Sequence, residues 1–177
     1  RLVDNVLDFS SIERGAKNYQ FRPEDLEEVV WSTLQTLEST ASSQNITINV
    51  TQPDGIPVIW MDRSAISQVL TNLISNAIKY STGPGKIEVK ISLQEKFISI
   101  AISDTGVGIS IADQERIFDH FFRSKDPAIR REKGTGIGLS IVRYIVEAHG
   151  GTIDVQSRPN EGSTFFVTLP LDPPAHM

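Results

Sequence analysis

In the segment Asn72-Leu-Ile-Ser-Asn76-Ala-Ile-Lys79-Tyr80, two carboxamides stand four residues apart, and a lysine and a tyrosine follow within one further turn. Read as a helix, the segment puts all four on one face, apart from an apolar stripe of Val69, Leu70, Leu73, Ile74, Ala77 and Ile78. Asparagine is a costly helix former, so two on one face imply a task. A carboxamide oxygen is a neutral hard ligand suited to Mg²⁺, which binds mainly through phosphate oxygens and water. Lys79 can reach phosphate, and Tyr80 can pack on a base or ribose. The plain alternative is a solvated helix face.

Two further segments fit the same chemistry. Asp104 ends the alternating run Ile98 to Ser103 and opens the turn Asp104-Thr-Gly106-Val-Gly108-Ile109, whose glycines let backbone approach a ligand closely. A carboxylate only accepts hydrogen bonds, so Asp104 would hold the 6-amino group of adenine and repel the 6-oxo group of guanine. An Asx turn is the alternative. Residues 104–106 also match the Asp-Thr-Gly of aspartic proteases, but that site needs a second carboxylate from a homodimer and leaves the other segments unexplained. Gly134-Thr135-Gly136-Ile-Gly138-Leu139 opens a helix, where free backbone N–H groups and the dipole end receive phosphate. Arg123, Lys125, Arg130, Arg131 and Lys133 outnumber Asp126 and Glu132 just before it, a local positive balance. No strand immediately precedes these glycines and no Gly-x-x-x-x-Gly-Lys-Ser/Thr loop exists, which disfavours a dinucleotide fingerprint or a P-loop. In this order the three segments describe one adenine nucleotide pocket.

The elements that must position them are legible from periodicity. Leu2, Val3, Val6, Leu7, Phe9 and Ile12 predict the end of an amphipathic helix over residues 1 to 14. A second helix is expected from Glu24 to Ser42, with Pro23 near its first turn and an acidic start. Strands are predicted at Ile46–Val50 and Pro57–Met61, and Asp62 caps a helix to Ser81. Residues 87–93 and 98–103 alternate as a hairpin turning at Gln94-Glu95-Lys96. Residues 123–135 read as a mobile loop, Gly138–His149 as a helix closed by Gly150 and Gly151, and 152–156 and 163–169 as final strands. Phe118, Phe121 and Phe122 are expected in the core at the base of the loop. The mixed rhythm predicts a two-layer α/β sandwich with a mixed sheet.

A chain of 177 residues with 39% hydrophobic content buries one good core, so one domain with flanking pieces is expected. The net charge of -5 argues against a general nucleic-acid or membrane-surface binder, so any anion site must be built locally. Without Cys there are no disulfides or thiolate metal sites, which suits a cytoplasmic location. None of His120, His149 and His176 shows metal-ligand spacing. The start at Arg1 is read as a cut from a longer parent, which could carry a membrane anchor upstream.

Together these residues resemble the ATP-binding catalytic domain of two-component sensor histidine kinases. Asn72 to Tyr80 looks like the N box, Asp104 to Ile109 like G1, Glu115 to Arg123 like the F box, and Gly134 to Val142 like G2. Gly162-Ser-Thr164-Phe resembles the terminal glycine motif, and Leu7 to Gly15 looks like the end of a dimerisation hairpin. The resemblance implies an α/β sandwich whose mostly antiparallel sheet of about five strands is covered on one face by three helices. It implies a helix end and linker over 1–18, a catalytic domain over 19–170 with a lid at 123–135, and a tail over 171–177. The implied cofactors are ATP and Mg²⁺, with Asn76 and Asn72 holding the metal and Lys79 touching phosphate. Nucleotide contacts are implied for Tyr80, Asp104, Gly106, Gly108, Ile109, Phe121, Arg123, Lys133, Gly134, Thr135, Gly136, Gly138, Leu139 and Thr164. The implied partners are the parent's phosphoacceptor hairpin and a response regulator receiver domain.

The family's acceptor is a His followed by an acidic residue, whereas His120 precedes Phe and His149 precedes Gly. The expectation is therefore a fragment that binds ATP and Mg²⁺ without phosphorylating itself. An ATP-driven clamp or chaperone would need a Glu where Asn72 stands, because a neutral amide cannot act as a general base. A serine kinase of the same superfamily would not need the dimerising stripe of residues 1–14, and a degenerate module would not keep every polar position.

Overall fold

The structure, a computed structural model, describes residues 17–81, 83–130 and 134–173. The helix expected over residues 1 to 14 lies outside them, as do Lys133 and most of the expected tail. A short ribbon comes first: β1 (Arg22–Glu24) pairs antiparallel with β3 (Ile59–Met61), with Pro23 opposite Trp60. This corrects the expected helix start. Pro23 has no N–H to donate and sits well in an edge ribbon, while Asp25 is the better cap. Helix α1 (Leu26–Ser43) therefore begins two residues later than expected, with the Asp25 carboxylate accepting from Glu28 N–H at 3.2 Å.

Helix α2 (Arg63–Tyr80) starts where the sequence placed it. Asp62 Oδ1 accepts from Ala65 N–H at 3.0 Å and from the Ser64 hydroxyl at 2.8 Å. Its other oxygen accepts Gln20 N–H at 2.8 Å, which ties the segment before β1 to the head of α2. Burial alone would push the Asp62 carboxyl upward, but these hydrogen bonds outweigh it and hold the group below the usual carboxylate range.

Five strands form the main sheet in the order β2 (Ile46–Thr51), β4 (Gly85–Leu93), β5 (Phe97–Asp104), β7 (Gly162–Pro170), β6 (Thr152–Arg158). Only β2 and β4 run parallel, and the chain between them crosses over through β3 and α2. The other three pairs are antiparallel. Alternation sends Ile87, Val89 and Ile91, Ile98, Ile100 and Ile102, and Phe165, Val167 and Leu169 to one buried face. Helices α1, α2 and α5 (Gly138–Ala148) pack there as the second layer. Each fully buried isoleucine, Ile100 for example, contributes roughly 1.5–3 kcal/mol relative to exposure. Two single-turn helices, α3 (Ile111–Gln114) and α4 (Pro127–Arg130), interrupt the segments between β5 and α5, so the expected loop contains one ordered turn.

Two ends meet as a result. Val107 N–H donates to Tyr80 O at 3.1 Å and Gly106 bridges to Ser81, pinning the turn after β5 to the last turn of α2.

Candidate nucleotide site

A cleft of about 390 Å³ opens between the polar face of α2, the end of β5 and the glycine-rich approach to α5. Asn72, Asn76, Lys79 and Tyr80 line it from α2, as the helical spacing required. The Asn72 Nδ2 is buried without a hydrogen-bond partner, and Asn76 has none among the described residues. Lys79 Nζ donates to the Tyr80 hydroxyl at 3.1 Å and lies 4.7 Å from its ring centroid, so the two side chains act as one unit. A Cβ added to Gly134 would stand 3.2 Å from Lys79 Nζ, and one on Gly138 3.4 Å from Asn72 Oδ1. The glycine segment is thus laid directly against the amide face. Gly134, Thr135, Gly136, Gly138 and Leu139 all line the cleft, as does Arg123.

At the other side stands Asp104, together with Gly108 and Ile109 of the same turn. Its Oδ1 accepts Gly106 N–H at 2.8 Å and Ser163 N–H at 3.3 Å, while Oδ2 has no protein partner among the described residues. The expected Asx turn is therefore present on one oxygen, and the other faces the cleft lining without a protein partner among the described residues. Burial raises the Asp104 carboxyl above its ordinary value, and the two backbone hydrogen bonds only partly oppose this. Ile109, Ile117 and Phe165 supply apolar wall beside it. The cleft thus offers a half-satisfied acceptor in an apolar surround and, elsewhere on its wall, unspent amides with a cation.

The family model described as "Histidine kinase-, DNA gyrase B-, and HSP90-like ATPase" matches residues 61–173. The chain belongs to this ATPase family. Among curated relatives, the sensor protein KdpD of Escherichia coli is 39% identical over 171 residues, covering 96% of this chain and 18% of its own length. Sensor histidine kinase WalK of Bacillus subtilis is 36% identical over 174 residues, covering 96% of this chain and 28% of its own. The chain therefore spans well under half of these relatives. The catalytic domain of histidine kinase ThkA superposes with a TM-score of 0.75 at 31% identity, over 87% of this chain and 99% of that one. Full-length ShkA, solved with AMPPNP, superposes with a TM-score of 0.86 at 26% identity, over 98% of this chain and 36% of that one. The five-stranded sheet under three helices is the fold of this ATPase family.

Within this ATPase domain some expected contacts fall elsewhere. Gly106 is buried against Tyr80 O, and its role is to close the Asp104 turn rather than to line the cleft. Phe121 is 61% exposed with φ 60°, an uncommon backbone for an aromatic residue, and it does not line the cleft; only Phe118 and Phe122 pack inward. Thr164 faces the other side of the sheet, where its hydroxyl donates to Ser103 Oγ at 2.9 Å. Its neighbour Ser163 lines the cleft instead, on the parity of Phe165 and Val167. That apolar alternation was available in the sequence and points to residue 163. Ser75, Ile117, Ser124 and Ile129 also line the cleft without a sequence expectation of their own, and Phe122, expected only as core, lines it too. Ser75 lies between the two asparagines, and Phe122 beside Arg123, so adjacency was the only signal. His149 ends α5 as expected, but it is fully buried. Its Nδ1–H donates to Ile145 O at 2.7 Å and its Nε2 accepts Asp62 N–H at 3.0 Å.

Proposed function

We propose that this chain is the catalytic domain of a sensor histidine kinase, which binds ATP with Mg²⁺ and presents the γ-phosphate to a histidine on a dimerisation helix of the parent protein. The phosphate then passes to a response regulator receiver domain, and the site works in the cytoplasm, where ATP is held. The observation that carries this is the Asp104 carboxylate, half-buried at one side of the cleft with one oxygen unspent. It accepts from the adenine 6-amino group, while Asn72, Asn76 and Lys79 meet the phosphates. The donor set suits Mg²⁺: among the described residues no cluster of three His, Cys, Asp or Glu could hold a metal, so an ion relies on phosphate oxygens, water and amides. When bound, the ion neutralises charge on the transferred phosphoryl group. Gly134 to Leu139 offer backbone N–H groups at the head of α5, and residues 123–135 act as the lid.

The acceptor imidazole comes from the hairpin. His149 cannot take the role, since it is buried and both of its nitrogens are engaged. Among the described residues no helix is long and apolar enough to cross a membrane. The test supplies the chain with the dimerisation hairpin of its own parent, Mg²⁺ and γ-labelled ATP. Acid-labile label is expected on the hairpin and none on this chain; label on His120 or no transfer at all would overturn the assignment.

A further inference from the structure

Behind Asp104, a small polar cluster has one arrangement of protons that satisfies all of its contacts at once. Ser157 Oγ lies 2.8 Å from Ile109 N, 2.8 Å from Gly162 O and 3.0 Å from Ser163 Oγ. The Ile109 N–H can only donate and the Gly162 carbonyl can only accept. Ser157 has a single hydroxyl proton, and it goes to Gly162 O. In the arrangement that satisfies all three contacts, Ser163 donates to Ser157 and its own proton is spent there. Ser163 is buried, pairs with Asp104 across the β5–β7 ladder and lines the cleft. In that arrangement it shows a ligand only a lone pair. Gln114 holds the arrangement from α3, its Nε2 donating to Ile109 O at 2.8 Å and to Ser157 O at 3.0 Å.

We propose that Ser157 is a specificity-positioning residue, which draws the Ser163 proton out of the cleft so that Ser163 Oγ and Asp104 Oδ2 form an acceptor-only edge. Such an edge takes the hydrogens of an exocyclic amine and repels a 6-oxo group in the same place. This rests on the ATP reading above and deepens it, since discrimination between 6-amino and 6-oxo purines then depends on a residue outside the cleft lining. Without Ser157 the Ser163 hydroxyl is released to rotate and donate into the cleft, which welcomes the 6-oxo group.

The test is calorimetric titration of ATP, GTP and ITP into the wild-type chain, Ser157→Ala and Ser157→Thr, with thermal melting to check the fold. The wild type is expected to prefer ATP over both 6-oxo nucleotides. In Ser157→Ala the ratio of ATP to ITP affinity should fall about tenfold, the scale of one hydrogen bond gained by the wrong base. Ser157→Thr restores the hydroxyl and should restore the ratio. A folded Ser157→Ala that keeps the wild-type ratio overturns the proposal. If that variant does not fold, the wild type decides: ITP bound as tightly as ATP overturns it. A wild-type chain that binds no purine nucleotide would instead overturn the ATP reading itself.

Discussion

On the Asp104 side of the cleft the hydrogen bonds close on one another, whereas on the α2 side they stand open. Asp104 Oδ1, Ser163, Ser157, the Ile109 N–H and Gln114 satisfy each other across β5, β6, β7 and α3, leaving one carboxylate oxygen for a ligand. Across the cleft, the buried Asn72 Nδ2 has no partner and the Asn76 amide is unspent among the described residues. A fixed edge suits a flat, rigid base with a defined donor pattern. Open amides and a lysine suit phosphates, which gain from charge and from several oxygens at once. On the proposed reading, one side serves selectivity and the other charge.

The largest way to break this contrast is through glycine. Gly108 has φ 67°, and a Cβ there would stand 1.9 Å from the Arg158 carbonyl oxygen, which is backbone and cannot yield. Gly108→Ala should cost about 3 kcal/mol or more of stability. Gly134→Ala would meet only the end of the flexible Lys79 side chain at 3.2 Å, and should change stability by less than about 0.5 kcal/mol. Chemical denaturation of the two variants checks this, and equal losses would erase the proposed difference in rigidity.

Next comes the oxygen proposed to read the base. Asp104→Asn keeps an acceptor for the Gly106 and Ser163 N–H groups but turns an NH₂ toward the cleft, donor against donor. Affinity for an ATP analogue should fall about a hundredfold, or ~2.7 kcal/mol, in a variant that remains folded. Calorimetry reads this directly, and undiminished affinity would remove Asp104 from the site. On the α2 side a smaller effect is expected: Asn76→Ala should reduce the strengthening of nucleotide binding by Mg²⁺ about tenfold, the scale of one lost metal contact. Titrations with and without Mg²⁺ test it, and an unchanged metal dependence would show that the amide face is not the cation side.

The α2 side was the more legible in sequence. Its polar positions lie within nine residues of one helix whose period, cap at Asp62 and apolar stripe all agree, so local rules suffice. The five-stranded sheet was legible for the same reason, since its inward residues alternate strictly. What escaped was non-local. The β1–β3 ribbon depends on residues 22–24 meeting 59–61, and a proline beside acidic residues reads locally as a helix start. The cluster behind Asp104 joins Ile109 to Ser157 and Asp104 to Ser163, contacts 48 and 59 residues apart that no window of periodicity spans. The terminal motif points to Thr164, but a motif match carries no information on which face of a strand a residue occupies. Aromatic type and the F-box resemblance both point Phe121 inward, whereas it stands 61% exposed on a left-handed backbone.

The finest distinction is between two carboxylates in the empty protein. Asp62 is held low by hydrogen bonds that outweigh its burial, so the stability it supplies is present above the ordinary aspartate range and is lost as pH falls through its folded value. Asp104 is raised by burial, so its folded state binds a proton more tightly than the unfolded chain. Its stabilising share is present below the ordinary aspartate range and is lost as pH rises through its folded value. At neutral pH the ionised Asp104 therefore costs stability that a nucleotide would repay through the unspent oxygen. Asp104→Asn should melt somewhat above the wild type at neutral pH without nucleotide, and the gap should close as the pH is lowered and Asp104 takes up its proton. Melting curves over a pH series decide this. A wild type at least as stable as the variant at neutral pH would mean that Asp104 is already fully compensated by its neighbours, and that the base-reading side is no more primed for a ligand than the amide side.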